Sequence, residues 1–196
     1  KYLVTGQQRL QAEARVNINL AQQMSDEQDQ LNLYSGIQAY YDGDYAQALQ
    51  FLKPLADKND PRAQVRVARM LLEARATGRD KPEAIRMFSA ALAPIQLTAS
   101  QGHAWAQSDL ADYYFDGLVI DQDRRTAAVW YQRAAEQGYA PAQTNLGWLY
   151  FNGYDGVAPN RAVAIHWFNE AAAQGNQAAA NNLRALGESV PQSAGG

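Results

Sequence analysis

The sequence predicts an all-α protein in which antiparallel helix pairs stack into an α-solenoid. The first observation is a repeat: residues 103–138 align with residues 139–175 almost without gaps, and Gly102, Gly138 and Gly175 recur at intervals of 36 and 37 residues. Self-similarity at such a period indicates a helical repeat array. The second observation is that each unit divides into two stretches of helical periodicity, here named helix A and helix B.

Small and aromatic residues mark both helices of each unit. In the last unit, helix A carries Ala142, Leu146 and Tyr150 and is predicted to end at Gly153. Helix B of that unit is marked by Ala164, Trp167, Phe168, Ala171, Ala172 and the closing Gly175. Alanines let helix backbones approach closely, and aromatic rings fill the space between pairs. A single pair cannot bury both of its faces, so the pairs must stack.

Upstream, residues 61–102 form a third unit that is lengthened by seven residues after its second apolar stretch. Seven residues are about two helical turns, which would keep the apolar face in phase. Two readings stay open: an extended helix B, or a helix that ends near Pro94 and continues as a loop. Residues 31–60 read as two further helices joined by the short turn "GDY".

The chain ends are less regular. Residues 1–30 read as an N-terminal helical segment compatible with a degenerate repeat, although "VNINLA" also alternates like a strand. Residues 176–188 resemble one more helix A without its partner, and we expect a C-terminal capping helix there. The tail, residues 189–196, is small and polar and is expected to be disordered.

Two quoted patterns carry a family resemblance. "A-x-x-x-L-G-x-L-Y-x-x-G" at Ala142–Gly153 and "A-x-x-W-F-x-x-A-A-x-x-G" at Ala164–Gly175 resemble the Sel1-like repeat. The unit before matches except that Ala111 replaces the usual glycine. "G-x-x-x-Y-x-x-G-D-Y-x-x-A" at Gly36–Ala48 resembles the related tetratricopeptide repeat. The resemblance is strong over residues 103–175 and weaker over about 33–186.

Membership of this superfamily would imply a right-handed superhelix and a role in protein–protein interaction rather than catalysis. Bacterial relatives serve in envelope assemblies, exopolysaccharide export, motility, signalling and host contact. The resemblance does not select one of these settings.

Composition limits the function classes. The chain has 196 residues, 47% hydrophobic and 19% charged, with a net charge of −3 and no cysteine. This charge gives no general reason to bind nucleic acid, and no apolar run is long enough to insert directly into a membrane. Because the sequence starts at Lys1, we expect a removed leader and a periplasmic or otherwise exported protein, with the cytoplasm as the alternative.

The sequence shows no set of residues typical of catalysis or metal binding. Neither His103 nor His166 has a sequence-local partner, and Asp116, Asp121 and Asp123 lack the pattern of a calcium loop. We therefore expect no cofactor, no metal and no enzyme activity, and read these aspartates as a solvated turn with a helix cap. Cell-wall hydrolysis is the least favoured function, and a cleft with paired carboxylates would support it.

Charge is concentrated between residues 61 and 102, which carry seven Lys/Arg and three Asp/Glu. Arg62, Arg66 and Arg69 fall on one stripe of helix A. They could form a docking strip for an acidic partner. In the repeat alignment, however, Arg66 corresponds to Asp109 and Arg69 to Asp112, and equivalent positions lie side by side in a solenoid. We favour ion pairing, which leaves Arg62 unexplained.

The same alignment predicts which residues face the concave groove. Arg69, Asp112 and Trp148 occupy one equivalent position, and a second row lies one turn earlier. The predicted partner-binding residues are Trp148, Arg69, Asp112, Ser108, Thr144, Asn181, Tyr40 and Arg62. An exposed tryptophan in a groove is a good anchor for a peptide. The alternative is that Trp148 packs against Tyr113 or a terminal helix.

The sequence thus favours a non-catalytic adaptor or scaffold of a bacterial envelope-associated complex that binds a protein or peptide in its groove. The alternative is a periplasmic regulator that sequesters a signalling or secretion component. Open solenoid ends expose apolar edges, so the sequence allows a monomer or a homodimer.

Overall fold

The computed structural model describes the backbone of residues 6–192 and the side chains of residues 22–192. Within these residues the chain forms nine α-helices and no strand. The helices are α1 (Gly6–Asp42), α2 (Tyr45–Asp57), α3 (Pro61–Glu73), α4 (Lys81–Ser100), α5 (Ala104–Asp116), α6 (Arg124–Glu136), α7 (Ala140–Asn152), α8 (Arg161–Ala173) and α9 (Gln177–Ala185). The predicted all-α class is confirmed. No helix in the described part is long and apolar enough to cross a membrane.

The helices form four successive hairpins, α1–α2, α3–α4, α5–α6 and α7–α8, and α9 packs on the last of them. Each helix also packs on the next one in the chain, so every hairpin contacts its neighbours. The helices named A in the sequence are therefore α1, α3, α5, α7 and α9. This arrangement is the predicted solenoid of helix pairs.

Polar side chains fix where the helices begin. Six helices start after an Asp or Asn whose side chain accepts a backbone N–H of the first turn, which satisfies a donor that has no partner within the helix. These caps are Asp44, Asp60, Asp80, Asp123, Asn160 and Asn176. At the other end of α5, Gly117 ends the helix in a left-handed conformation with φ of 66°, which glycine adopts without strain.

Buried alanines bring the helices together, as the sequence predicts. Ala106, Ala127, Ala142 and Ala164 are completely buried. Between hairpins, Phe88 of α4 and Tyr113 of α5 pack edge to face at 5.7 Å between ring centroids. The buried side chains form three successive clusters along the solenoid, and the partly buried rings of Tyr114, Trp130 and Tyr150 each pack against two of them.

A buried glutamine recurs at each junction between hairpins, and the sequence analysis missed it. Gln64 of α3, Gln107 of α5 and Gln143 of α7 are buried, and each donates its side-chain N–H to a carbonyl at the end of the preceding helix B. The donor–acceptor distances are 3.4, 3.4 and 3.1 Å. Each of these carbonyls also accepts a backbone N–H of the turn that follows its helix, so the glutamine adds a second hydrogen bond, one that links a helix A to the end of the preceding hairpin.

Helix α1 is continuous from Gly6 to Asp42, so it runs through the predicted boundary between residues 30 and 31. The strand reading of "VNINLA" is wrong, because residues 16–21 lie inside this helix. Its last turns form the predicted helix before "GDY": Leu33 and Ala39 are buried there.

The open question at Pro94 is resolved in favour of an extended helix. Pro94 lies inside α4, which continues to Ser100. Ile95 and Ala99, in the added two turns, are buried. Their burial offsets the hydrogen bond that proline cannot donate.

The close approach of helices can be tested at Gly147. A Cβ at this position would lie 2.7 Å from a ring carbon of Phe168 and 3.2 Å from the carbonyl oxygen of Ala164. Gly147→Ala should therefore lower the free energy of unfolding by about 1–3 kcal/mol, measured by urea denaturation. Gly78→Ala is the matched control, since a Cβ there meets nothing within 4 Å. Equal stability of the two variants would contradict the packing described.

Candidate functional site

The A helices together line one groove, a cavity of about 840 Å³. It receives residues from α1, α3, α5, α7 and the start of α9, together with Tyr131 of α6. Six of the eight predicted partner-binding residues line it: Tyr40, Arg69, Ser108, Asp112, Thr144 and Trp148. Numerically equivalent positions of successive units are therefore spatial neighbours along this surface.

Arg66 and Asp109 form a buried ion pair between α3 and α5. Their side chains are each 4% exposed, and Nη1 of Arg66 lies 2.5 Å from Oδ2 of Asp109. Burial alone would lower the pKa of the Arg66 guanidinium, but the charge and hydrogen bond of Asp109, together with Tyr41 and Tyr139, outweigh burial and hold this pKa above its ordinary value. The predicted pair is confirmed, and its burial makes it far more costly to break than an exposed pair.

Arg69 pairs with two carboxylates of α5. Its guanidinium lies 3.6 Å from Oδ2 of Asp112 and 2.6 Å from Oδ2 of Asp116. The pair with Asp112 was predicted. Asp116 follows Asp112 by one helical turn, so helical spacing could have identified this second partner.

Asp112 is a carboxylate whose pKa the fold raises well above its ordinary value. Its Oδ1 accepts the hydroxyl hydrogen of Tyr131 on α6 and a side-chain N–H of Asn145 on α7, the latter at 3.3 Å. Burial raises the pKa of Asp112 to about 6, and the charges of Asp109 and Asp116 act in the same direction, against Arg69. This carboxylate therefore changes charge close to neutral pH.

Trp148, on α7, follows Arg69 of α3 and Asp112 of α5 along the groove, and it is 46% exposed. Its ring packs edge to face on Phe115, with 5.7 Å between ring centroids. The alternative of packing against Tyr113 is wrong, since Tyr113 instead packs on Phe88 and donates its hydroxyl hydrogen to that residue's carbonyl at 2.7 Å. Phe115 supports Trp148 on one edge and leaves nearly half of it accessible.

Arg62 and Asn181 lie outside the groove, which corrects their predicted placement. Arg62 bonds to Asp60 at the start of its own helix and places its guanidinium 5.6 Å from the ring centre of Trp105. Asn181 is exposed on α9 and accepts hydrogen bonds from Gln177 and Arg184. At each position a partner on or beside the same helix holds the side chain.

A contact between two tyrosines, which was not predicted, joins the first hairpin to the start of α7. The hydroxyl of Tyr41, at the end of α1, lies 3.3 Å from that of Tyr139, which precedes α7. Tyr41 also accepts a hydrogen bond from Arg66 at 3.2 Å. Since 98 residues separate the two tyrosines, no local pattern could have paired them.

The histidines and the acidic turn form no site in the described part of the chain. His103 precedes α5 without a side-chain cap, and His166 packs on Trp167 with 4.9 Å between ring centroids. Among residues 22–192, no group of three His, Asp or Glu side chains is placed to hold a metal ion. Asp123 caps α6, as predicted for one aspartate of that turn.

Asp112 should make stability depend on pH. Its pKa is raised from 3.8 to about 6 on folding, so its contribution to stability is present below pH 4 and lost as pH rises through 6. As pH rises from 4 to 7.5, the free energy of unfolding of Asp112→Asn should therefore increase by about 1–3 kcal/mol relative to that of the wild type. Urea unfolding at several pH values measures this, with exposed Asp121→Asn as control. An unchanged difference across this range would contradict the burial penalty.

The family comparison agrees with this architecture. The Sel1 repeat model matches four stretches, residues 33–60, 61–93, 106–139 and 140–176. The first of these is the segment predicted to resemble a tetratricopeptide repeat. No curated protein matches the chain.

Two solved structures are similar to the chain. A Sel1 repeat protein from Oxalobacter formigenes is 36% identical, with 70% of this chain and 97% of that chain covered and a TM-score of 0.43. A protective antigen present in uropathogenic Escherichia coli strains, which displays an SLR fold, is 30% identical, with 83% of this chain and 35% of that chain covered and a TM-score of 0.47.

The four matched stretches include more than half of the chain and fall on its successive hairpins. Proteins of this kind generally mediate protein–protein interactions and are typically non-catalytic scaffolds. The chain belongs to the Sel1 repeat family.

Proposed function

We propose that this protein is a non-catalytic adaptor that captures a peptide or helix of a partner protein in its groove. The observation that supports this most directly is Trp148, 46% exposed at the wall of a cavity of about 840 Å³. Large aromatic side chains in partly enclosed sites are the usual anchors of protein interfaces. Phe115 holds the ring, so little conformational entropy remains to be lost when a partner binds.

The shape of the groove suits an extended segment. Six helices contribute to it, from Tyr40 on α1 to Ala178 on α9. Near Trp148 the wall is aromatic and amide-rich, with Phe115, Asn145 and Asn176. An amide side chain can donate to and accept from a peptide backbone, which suits recognition of main chain as well as side chains.

The carboxylates of the groove support binding rather than hydrolysis. Asp109 is paired with Arg66, while Asp112 and Asp116 share Arg69. A glycoside hydrolase needs one carboxyl group free to donate a proton and another free to attack or to activate water. Glu73 is paired with Arg75, so internal partners hold all four carboxylates of the groove, which favours a structural role for them.

An envelope setting is part of the proposal. The sequence has no cysteine, a composition that avoids unwanted disulfides in an oxidising compartment such as the periplasm. Fractionation of the native host should recover the protein with periplasmic markers. Recovery with cytoplasmic markers alone would reject this part of the proposal and leave the binding role in place.

Trp148→Ala should weaken partner capture about tenfold or more, because it removes the anchor side chain. Affinity capture from the native host, followed by titration of the recovered partner, measures the loss. Phe151→Ala is the matched control: it removes an aromatic side chain from the same helix that is 40% exposed and does not line the groove. Circular dichroism should show both variants equally helical. Equal affinity of both variants would exclude Trp148 from the binding site.

A further inference from the structure

The charges of the groove do not balance. It is lined by three arginines and four carboxylates, which leaves one negative charge in surplus. These residues are Arg66, Arg69, Arg75, Glu73, Asp109, Asp112 and Asp116. The groove is therefore complementary to a partner segment that brings positive charge.

Each of the three arginines already has an internal partner. Arg66 is buried with Asp109, and Arg69 is bound by two carboxylates. Arg75 is paired with Glu73 and also bonds to the hydroxyl of Tyr45. An acidic segment would have to compete with these internal partners and would add to the surplus negative charge. This argues against the docking strip for an acidic partner considered from the sequence.

The surplus negative charge lies around Asp112. Asp112 and Asp116 share the single guanidinium of Arg69, and Asp109 is already matched by Arg66. Burial is the main cause of the raised pKa of Asp112, and the negative charges of Asp109 and Asp116 add to it. An added cation would stabilise the ionised carboxylate.

An aromatic ring stands beside this carboxylate. Asn145, which bonds to Asp112, lies three residues before Trp148 on α7 and so one helical turn from it. In the repeat register, Arg69, Asp112 and Trp148 follow one another on α3, α5 and α7. A cation over the indole ring next to a carboxylate gains from both the ring quadrupole and the opposite charge.

We infer that the groove selects a basic segment of its partner protein and places a lysine or arginine side chain over the ring of Trp148, beside Asp112. The inference rests on the proposed function, since it assigns the chemistry of the segment that the groove captures. The bound cation at Trp148 would follow the positive charge of Arg69 and the negative charge of Asp112, so that charges alternate along this row of the solenoid.

Selection from a phage-displayed library of random 12-residue peptides tests the inference without a known partner. Peptides are selected on the wild-type protein, and each is then tested on Trp148→Ala and on the control Phe151→Ala. We expect peptides that lose binding only with Trp148→Ala to contain Lys and Arg at least about twofold more often than the starting library, and to be depleted in Asp and Glu. Peptides that depend on Trp148 but are neutral or acidic would overturn the basic preference alone. Absence of any peptide that depends on Trp148 would overturn the proposed function as well.

The pH dependence of one selected lysine peptide tests the place of Asp112. Asp112 faces Arg69 from α3, Tyr131 from α6 and Asn145 from α7, with Asp109 and Asp116 on its own helix. As pH falls through about 6, Asp112 takes up a proton and loses its charge.

Affinity for the lysine peptide, measured by fluorescence anisotropy at constant ionic strength, should therefore fall about threefold to tenfold from pH 7.5 to pH 5. Asp112→Asn should bind weakly at both pH values. The same peptide with glutamine in place of lysine should show neither effect. A lysine peptide that binds equally to wild type and Asp112→Asn would remove Asp112 from the site.

Discussion

The structure depends on the close approach of helices at small residues. Completely buried alanines such as Ala106, Ala127 and Ala164 occur on both helices of a hairpin, so that backbones come near enough for aromatic rings to be enclosed between hairpins. The approach is very close at Gly147, where the ring of Phe168 occupies the space that a Cβ would need. No hairpin buries both of its faces alone, so stacking in register follows. That register places equivalent residues of successive A helices next to one another.

The groove inherits its electrostatics from this register. Arg66 and Arg69 on α3 meet Asp109 and Asp112 on α5 because each pair occupies matching positions of adjacent units. The next unit continues the row with an uncharged side chain, Trp148. The arginines of the groove are all engaged in ion pairs within its wall. The position of Trp148 has no charged partner and presents an exposed ring beside Asp112, which shares the single guanidinium of Arg69 with Asp116. The same stacking that stabilises the chain therefore creates a surface with defined chemical preference.

Much of this could be read from the sequence, because the information is periodic. Repeat spacing predicts the helix pairs and two of the three ion pairs between α3 and α5. The path of the chain at Pro94 depends on the burial of Ile95 and Ala99 against other helices, and periodicity carries no such tertiary information. Contact between Tyr41 and Tyr139 depends on how the superhelix closes across 98 residues. Arg62 and Asn181 depart from the groove because partners nearby in sequence hold them, a local competition that the alignment of equivalent positions ignores.

The recurring glutamines have a consequence for how such a chain changes in length. Gln64, Gln107 and Gln143 make the same bond to the end of the preceding hairpin at every junction. If the gene segment for one whole repeat were copied in tandem, the new unit would carry its own glutamine. That glutamine would meet a carbonyl acceptor at the end of the preceding unit, and the next unit's glutamine would meet the same acceptor in the new one. Duplication or loss of a whole unit would thus keep the contacts between units and lengthen or shorten the inner surface. Recombination can therefore alter which ligands fit while the same junction contact is reused.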